Sequence, residues 1–219
     1  IYRREILKKL EELTTSVFYE MFGDVVSNNM GWQVEKFGNI GVLDRGKSRH
    51  RPRDAAELYG GKYPFIQTGD VANSNGEIRS FKHTYSDLGL AQSKLWNVNT
   101  LCITIAANIA KTAILRIPAC FPDSVVGFIA DKSKTNVRFV QTWLSFLQPI
   151  LEANAPQAAQ KNINLQILRG LPIPLPPLEL QDVFSSRIES IIALRNEQDT
   201  ALTKSSEALS SLLNCFSTP

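Results

Sequence analysis

The sequence is poor in the residues that usually hold a metal ion. It contains two histidines and three cysteines, and the cysteines, Cys102, Cys120 and Cys215, form no CxxC pair. Because a structural zinc site needs about four such ligands at close spacings, the sequence predicts none. The odd number of cysteines, with no signal peptide ahead of them, favours reduced thiols and a cytoplasmic protein.

Long apolar runs are also missing. No run approaches the roughly 18 residues that a membrane-spanning helix needs, so we expect no contact with a membrane. The composition, 43% hydrophobic and 21% charged residues, is typical of a folded protein, and a net charge of +3 permits a polyanionic partner without requiring one. The first residue is Ile1 rather than methionine, which predicts a piece excised from a longer polypeptide.

The sequence lacks the strings on which a methyltransferase depends. Neither a Gly-rich cofactor loop nor an Asn/Asp-Pro-Pro-Tyr/Phe loop occurs, so we expect no catalytic residues and no cofactor bound by this chain. One alternative is a metal-dependent nuclease, in which Asp70 and Glu77 bind the ion and Lys82 stabilises charge, although Asp70 fits a structural turn better. A stand-alone DNA-binding or coiled-coil adaptor protein is the other alternative.

Proline, by contrast, is concentrated in one stretch. Residues 170–181 read GLPIPLPPLELQ, with four prolines between positions 172 and 177. Proline lacks a backbone donor and has a fixed φ, so residues 171–178 should be extended rather than helical. We expect this Pro-rich arm, residues 171–181, to hold the following helix away from the preceding domain. The alternative is a helix packed on its own domain.

Heptad patterns flank the chain at both ends. In the last part of the chain the a and d positions of a heptad pattern begin at Phe184, end at Phe216 and follow one another at alternating steps of four and three residues. This spacing predicts a long coiled-coil helix over 182–219. The first 23 residues carry a shorter seam that ends at Gly23. The predicted contact residues of the two helices are Ile6, Leu10, Leu13, Val17, Ile188, Ile191, Leu202, Leu209 and Leu212.

The two predicted helices differ in length. A helix of about 33 residues rises roughly 50 Å, whereas one of about 20 residues covers roughly 30 Å. The shorter helix therefore leaves part of the long seam uncovered. We expect self-association through the helices when nothing else covers that seam.

The body between the helices, residues 24–170, combines strands with a few helices. β-prone runs occur at 63–67, 101–105 and 125–129, and residues 136–153 have the spacing of a helix that Pro149 bends or ends. We predict an α+β domain with a curved, mostly antiparallel sheet.

The most pronounced charge feature is the basic loop, residues 44–54, which reads DRGKSRHRPRD. In an extended loop alternate side chains project to one side, so this loop is predicted to follow a phosphate backbone. A solvated surface loop is the alternative. The five cations at every second position are Arg45, Lys47, Arg49, Arg51 and Arg53.

Other loops carry side chains suited to reading DNA bases. Amides pair well with adenine edges, and lysine pairs with guanine. The candidates for base contacts or neighbouring contacts are Ser48, Gln67, Thr68, Asn73, Asn75, Lys82, His83, Asn108, Lys111, Gln157, Gln160, Lys161 and Asn162.

Six segments of the chain form an ordered set: DRGKSRHRPR at 44–53, LYGGKYPFIQTGDV at 58–71, LCITIAANIA at 101–110, ACFPDSVVG at 119–127, AAQKNIN at 158–164 and the Pro-rich arm. In this order and spacing they resemble one family, the target recognition domain of the DNA specificity subunit of type I restriction-modification enzymes. The resemblance covers nearly the whole chain, and two positions depart from the family pattern: Gln157 stands for a usual glycine and Leu180 for a usual glutamate.

The resemblance implies a DNA-binding domain over 24–170 between conserved spacer helices over 1–23 and 182–219. In the family, two such domains each read one half of a split double-stranded DNA site, and the helices dock methyltransferase subunits. The chain would be the C-terminal half of a specificity subunit, or a natural half-subunit that pairs. Methyl transfer and cleavage would belong to the methyltransferase and restriction subunits, which would bind S-adenosylmethionine, ATP and Mg²⁺.

Overall fold

The computed structural model describes residues 2–106, 108–153, 163–194 and 197, and in this part of the chain it has six α-helices and eleven strands. The helices are α1 (Tyr2–Phe22), α2 (Thr68–Ala72), α3 (Asp87–Ala91), α4 (Val137–Ala153), α5 (Leu165–Gly170) and α6 (residues 178–194). The strands are β1 (Gln33–Lys36), β2 (Gly41–Arg45), β3 (Tyr59–Phe65), β4 (Glu77–Ile78), β5 (His83–Tyr85), β6 (Leu95–Trp96), β7 (Leu101–Thr104), β8 (Thr112–Leu115), β9 (Ala119–Cys120), β10 (Val125–Ala130) and β11 (Pro172–Leu175). The predicted α+β class is confirmed.

The strands form three sheets, so the prediction of one curved sheet is wrong. Five strands align in the order β2-β10-β7-β8-β4, four in the order β5-β3-β9-β6, and β1 pairs with β11. Most pairs are antiparallel, whereas β3 with β9 and β4 with β8 are parallel. Every residue of β7 is buried, which explains its continuous apolar sequence as that of a central strand.

The main core brings α1, α4 and α6 together. The ring of Phe18 on α1 lies 5.6 Å from that of Phe139 on α4 and 5.3 Å from that of Phe184 on α6, between centroids. All three rings are fully buried, and Ile188 of α6 is buried in the same cluster. Burial of each such side chain stabilises the fold by about 1.5–3 kcal/mol. The first turns of α6 are therefore part of the domain core.

This packing corrects the prediction of an arm that holds the last helix away from the domain. Helix α6 begins at residue 178, inside the predicted arm, directly after the last proline of the stretch, so no proline lies within the helix. The carbonyl of Pro177 accepts from the N–H groups of Leu180 and Gln181 at 3.0 and 3.2 Å. The carboxamide of the buried Gln181 also donates to the carbonyl of Pro176 at 2.8 Å. For residues 178–194 the alternative, a helix packed on its own domain, is correct.

The proline stretch itself is extended, as predicted, and forms a strand. In β11, Pro174 lies opposite Val34 of β1 and Ile173 lies opposite Glu35. Ile173 and Pro174 are buried. A two-stranded sheet leaves one edge of each strand without a ladder partner, and this is a position that proline tolerates.

One glycine and one proline test the predicted ends of two helices. Helix α1 ends as predicted at Gly23, which has φ +72° and donates its N–H to the carbonyl of Tyr19 at 2.9 Å. A Cβ at Gly23 would lie 2.3 Å from Oδ1 of Asn29, so glycine is required there. Helix α4, in contrast, does not end at Pro149 but continues to Ala153.

Part of each predicted helix interface can be located. Val17 and Ile191 pack against the main core, whereas Leu13 is 45% exposed. Ile6 and Leu10 lie on α1. The remaining predicted residues that lie outside the described part of the chain are Gln157, Gln160, Lys161, Asn162, Leu202, Leu209, Leu212, Cys215 and the heptad positions beyond 197.

Candidate nucleic-acid interface

The basic loop is held against the domain rather than running as a free extended track. Its beginning lies under a neighbouring loop, since Gly46 N–H donates to the carbonyl of Val125 at 2.9 Å and Lys47 N–H to that of Phe121 at 3.1 Å. A Cβ at Gly46 would lie 2.3 Å from the carbonyl oxygens of Phe121 and Pro122, so only glycine permits this approach. Residues 50–54 then form bends and turns, which corrects the predicted extended loop.

A single glutamine fixes the middle of the basic loop. Oε1 of Gln92, at the end of α3, accepts from the N–H groups of Arg49 at 2.6 Å and His50 at 3.1 Å. The neighbouring Ser93 hydroxyl donates to the carbonyl of Lys47 at 2.8 Å. These bonds preorganise the backbone, which reduces the conformational entropy that the loop loses when it binds a ligand.

The five cations of the basic loop fall into two groups. Nη1 of Arg51 donates to the carbonyls of Ser48 and His50, both at 2.8 Å, and Nη2 of Arg53 pairs with Oδ2 of Asp123 at 3.0 Å. Arg45, Lys47 and Arg49 make no side-chain hydrogen bond or ion pair to any residue that the structure describes. These three cations are the ones ready for phosphate contacts. The predicted contact Ser48 is 7% exposed, so its side chain is not presented to a ligand.

A polar cleft of about 470 Å³ brings together several candidate residues that are separated in the sequence. Gln67 and Asn73 flank α2, Lys82 is the last residue of the connection between β4 and β5, and His83 is the first residue of β5. The turn under the cleft is fixed by the Asp70 carboxylate, which accepts from Gln67 N–H at 2.9 Å. Amides and basic side chains that line one cleft provide both donors and acceptors for base edges.

The remaining described candidates lie elsewhere. Thr68 is half-buried in the first turn of α2 and does not line the cleft. Asn75 occupies a turn with φ +53°. Asn108 and Lys111 are exposed on the connection between β7 and β8, where Lys111 N–H donates to the Thr104 hydroxyl at 3.1 Å. None of these four residues joins Gln67 and Lys82 in the cleft.

Glu77, one of the two acids considered as metal ligands in the nuclease alternative, forms ion pairs with several arginines. Oε1 of Glu77 accepts from Nη2 of Arg116 at 2.7 Å and from Arg138, and Oε2 pairs with Nη2 of Arg79 at 2.7 Å. Burial would raise the pKa of Glu77, but the hydrogen bonds from Arg116 and Arg138 outweigh it and lower the pKa to about 2. Glu77 is therefore a permanent structural anion.

No other feature of the described residues supports catalysis. Asp70 has the structural turn role expected of it, and no group of three or more histidine, cysteine, aspartate or glutamate side chains is arranged to hold a metal in the part of the chain described. Cys102 and Cys120 are free and buried, and burial raises the pKa of both thiols, that of Cys120 to about 11. Thiols with such values stay protonated and unreactive at neutral pH.

Three features were missed by the sequence reasoning. The ion cluster joins Glu77, Arg116, Arg138 and Glu189, and nothing in the sequence links positions so far apart. Gln92 carries no motif. The third feature is Phe81, an aromatic residue in the polar stretch between Arg79 and Lys82. This pattern is the one sequence signal that could have identified any of the three features.

An α+β domain with an anchored basic loop, a polar cleft and no metal-binding cluster among its described residues is typical of a nucleic-acid recognition module. Comparison with known proteins narrows this class. The family of type I restriction modification DNA specificity domains matches residues 29–204, and the chain belongs to that family.

Individual relatives agree with this assignment. The chain is 24% identical over 185 residues to the MjaX specificity subunit of Methanocaldococcus jannaschii, a protein named for a type I restriction enzyme, and covers 42% of its length. The HsdS subunit from Thermoanaerobacter tengcongensis has the same fold, with 20% identity, a TM-score of 0.62 and coverage of 91% of this chain and 47% of that one. A structure from a study of type I R-M complex assembly and conformational transition gives a TM-score of 0.66 at 20% identity, over 96% of this chain and 51% of that one. The chain thus spans about half the length of the relatives it matches.

One further observation concerns membranes. Among the described helices, none is long and apolar enough to cross a bilayer.

Proposed function

We propose that this chain reads one half of a bipartite double-stranded DNA site as the recognition module of a type I specificity subunit. The observation that carries the proposal is the cleft in which Gln67, Asn73, Lys82 and His83 converge, in a chain that belongs to the DNA specificity family. Both amides and both basic groups are of the kinds that read base edges in a groove. Relatives about twice as long as this chain support the reading of one half-site per chain.

The basic loop would supply the sequence-independent part of binding. Arg45, Lys47 and Arg49 are the cations without an internal partner among the described residues, and the hydrogen bonds of Gln92 and Ser93 hold the backbone that carries them. Phosphate contacts fix the register of a protein on DNA, whereas base contacts in the cleft select the sequence. Asn108 and Lys111 on the connection after β7 would contribute neighbouring contacts.

The helices would form the assembly surface. In this proposal residues 1–23 and 182–219 act as spacer helices that dock the methyltransferase subunit, and the restriction subunit joins through the resulting complex. Methyl transfer and cleavage take place on those partners, which hold S-adenosylmethionine, ATP and Mg²⁺, and the chain itself is not an enzyme. The free thiols of Cys102 and Cys120 agree with a cytoplasmic location.

Selection of duplexes from a random-sequence library by the purified chain tests the proposal. We expect enrichment of one short half-site, and fluorescence anisotropy should show weaker binding to that duplex after Gln67→Ala with Lys82→Ala, while binding to unrelated duplexes changes little. Methylation-site mapping of the assembled enzyme should return the same half-site. Mg²⁺-dependent cleavage by the chain alone, or binding without sequence preference, would contradict the proposal.

A further inference from the structure

Phe81 is a large aromatic residue that lies on the protein surface and not in a core. Ten of the eleven phenylalanines lie in the described part of the chain, and Phe81 alone among these ten is classed as exposed, at 48%. Full burial of such a ring stabilises a fold by about 1.5–3 kcal/mol, and the half-exposed Phe81 contributes only part of this stabilisation. An exposed ring is common on a surface and needs further observations before it indicates a site.

The first such observation is the position of the ring in the fold. Residues 79–82 connect β4, the edge strand of the five-stranded sheet, to β5, the edge strand of the four-stranded sheet. The connection is fixed at both ends. Arg79 is held by Glu77 through Nη2 to Oε2 at 2.7 Å, and His83 pairs with Phe65 of β3. The short segment Ser80-Phe81-Lys82 between these anchors is exposed throughout.

The second observation is what surrounds the ring. Phe81 lines the same cleft as Gln67, Asn73 and Lys82, so the exposed aromatic group stands beside the amides and the cation proposed to read bases. The two carboxylates of the cleft are already engaged, Asp70 by Gln67 N–H and Glu77 by its arginines. The arginines balance the charge of Glu77, whereas Asp70 keeps its charge and has a structural role in the turn.

Resting on the proposed DNA-binding function, we propose that Phe81 inserts its ring between adjacent bases of the recognised half-site. An apolar side chain that projects from a fixed connection can separate two stacked base pairs and kink the duplex. The ring then stacks on a base face, and the separated base presents its edge to the amides of Gln67 and Asn73. This residue would make recognition depend on how easily one base step opens, in addition to its hydrogen-bond pattern.

The test uses the whole chain and a duplex that it has itself selected from a random library, with 2-aminopurine, which pairs with thymine, replacing each adenine of either strand in turn. Fluorescence of this base rises when it is unstacked. We expect a rise at one step with the unmodified chain and with the control Ile167→Ala, which alters a side chain 43% exposed on α5 and outside the cleft. Phe81→Ala should abolish the rise and weaken binding by about fivefold to 150-fold.

The possible results separate the inference from the function on which it rests. If the unmodified chain selects no duplex, the proposed function fails and the inference fails with it. If it binds a selected duplex but no position brightens, or if Phe81→Ala binds as tightly as Ile167→Ala, the inference alone is overturned. Loss of the Phe81→Ala effect on replacing thymine by uracil would show contact with a methyl group instead of insertion, and would also overturn it.

Discussion

Arg138 on α4 and Glu189 on α6 form an ion pair, with Nη2 2.7 Å from Oε1. The same guanidinium bonds Glu77 at the start of β4, so one side chain joins the sheet, the domain helix and the last helix. Arg138 is 6% exposed, whereas Glu189 is 45% exposed. The two partners should therefore contribute very differently to stability.

Arg138→Ala should lower the free energy of unfolding by about 3–5 kcal/mol, because it leaves the buried Glu77 with one of its main cations missing. Glu189→Gln should cost less than about 1 kcal/mol, since its carboxylate is half in water. Urea unfolding followed by circular dichroism measures both, with the exposed Glu179→Gln on the same helix as control. Equal losses in the two variants would contradict the assigned burial.

Stability should depend on acid pH through Glu77. Its pKa is lowered in the folded protein from 4.5 to about 2. A lowered carboxyl pKa contributes stability that is fully present above about pH 4.5 and is lost as the pH falls towards 2, and a shift of this size corresponds to about 3 kcal/mol. The difference in unfolding free energy between the unmodified chain and Glu77→Gln should shrink over this range. A difference that stays constant from pH 6 to pH 2.5 would disprove the linkage.

The basic loop should show two classes of cation. Replacing Arg45 and Arg49 by alanine should lower the slope of log affinity against log salt by about 1.8, at roughly 0.9 per lost phosphate contact. The matched pair Arg51→Ala with Arg53→Ala should lower it less, because both side chains are bonded within the domain. Anisotropy titrations at several salt concentrations measure the slopes. Equal slopes for the two double variants would show that the internal bonds do not distinguish these residues.

Gln92→Ala should weaken DNA binding without changing the salt slope. The substitution removes the acceptor for the N–H groups of Arg49 and His50 but leaves every cation in place. Gln92→Glu keeps an acceptor oxygen and should restore most of the affinity. If Gln92→Ala instead lowers the slope, the loop has lost phosphate contacts outright and Gln92 does more than hold its backbone.

The heptad positions beyond residue 197 still predict self-association of the isolated chain. Leu202→Asp with Leu209→Asp should abolish it, together with methyltransferase docking, and leave the domain folded. Val183→Asp makes the same type of substitution once, at a position of α6 that is 46% exposed and outside the heptad seam, so it should have little effect. Sedimentation of the unmodified chain as a strict monomer at high concentration would show that the seam needs no partner.

Local patterns predicted much of the fold. The apolar runs at 101–105 and 125–129 correspond to β7 and β10, and the three-and-four spacing over 136–153 corresponds to α4. Both signals come from residues buried on a regular face, which single sequences record well. β2 has no such signal, because it is a sheet edge with one buried residue, Leu43, in five.

Long-range pairings could not be predicted in this way. In the ion cluster Glu77 lies 39 positions from Arg116 and 61 from Arg138, the partners in the β1–β11 ladder are still further apart, and one sequence contains no covariation that links them. The same limit applies to the cleft. Gln67 and Lys82 were candidates because of their chemistry, but only the fold shows that they line the same cleft, that Ser48 is buried and that Arg53 already has a partner.

The short ladder between β1 and β11 gives the recognition domain a closed base, with Gln33 opposite Leu175. The polypeptide therefore enters and leaves the domain on two adjacent strands, and the domain lies as an insertion between α1 and α6. Another sequence that closed on the same two strands could be exchanged for residues 37–171 without redirecting α1 or α6 only if it kept the contacts that Phe139 and Arg138 make with those helices. Under the proposed function, DNA preference could then diverge while the helices that the proposal assigns to assembly stayed constant.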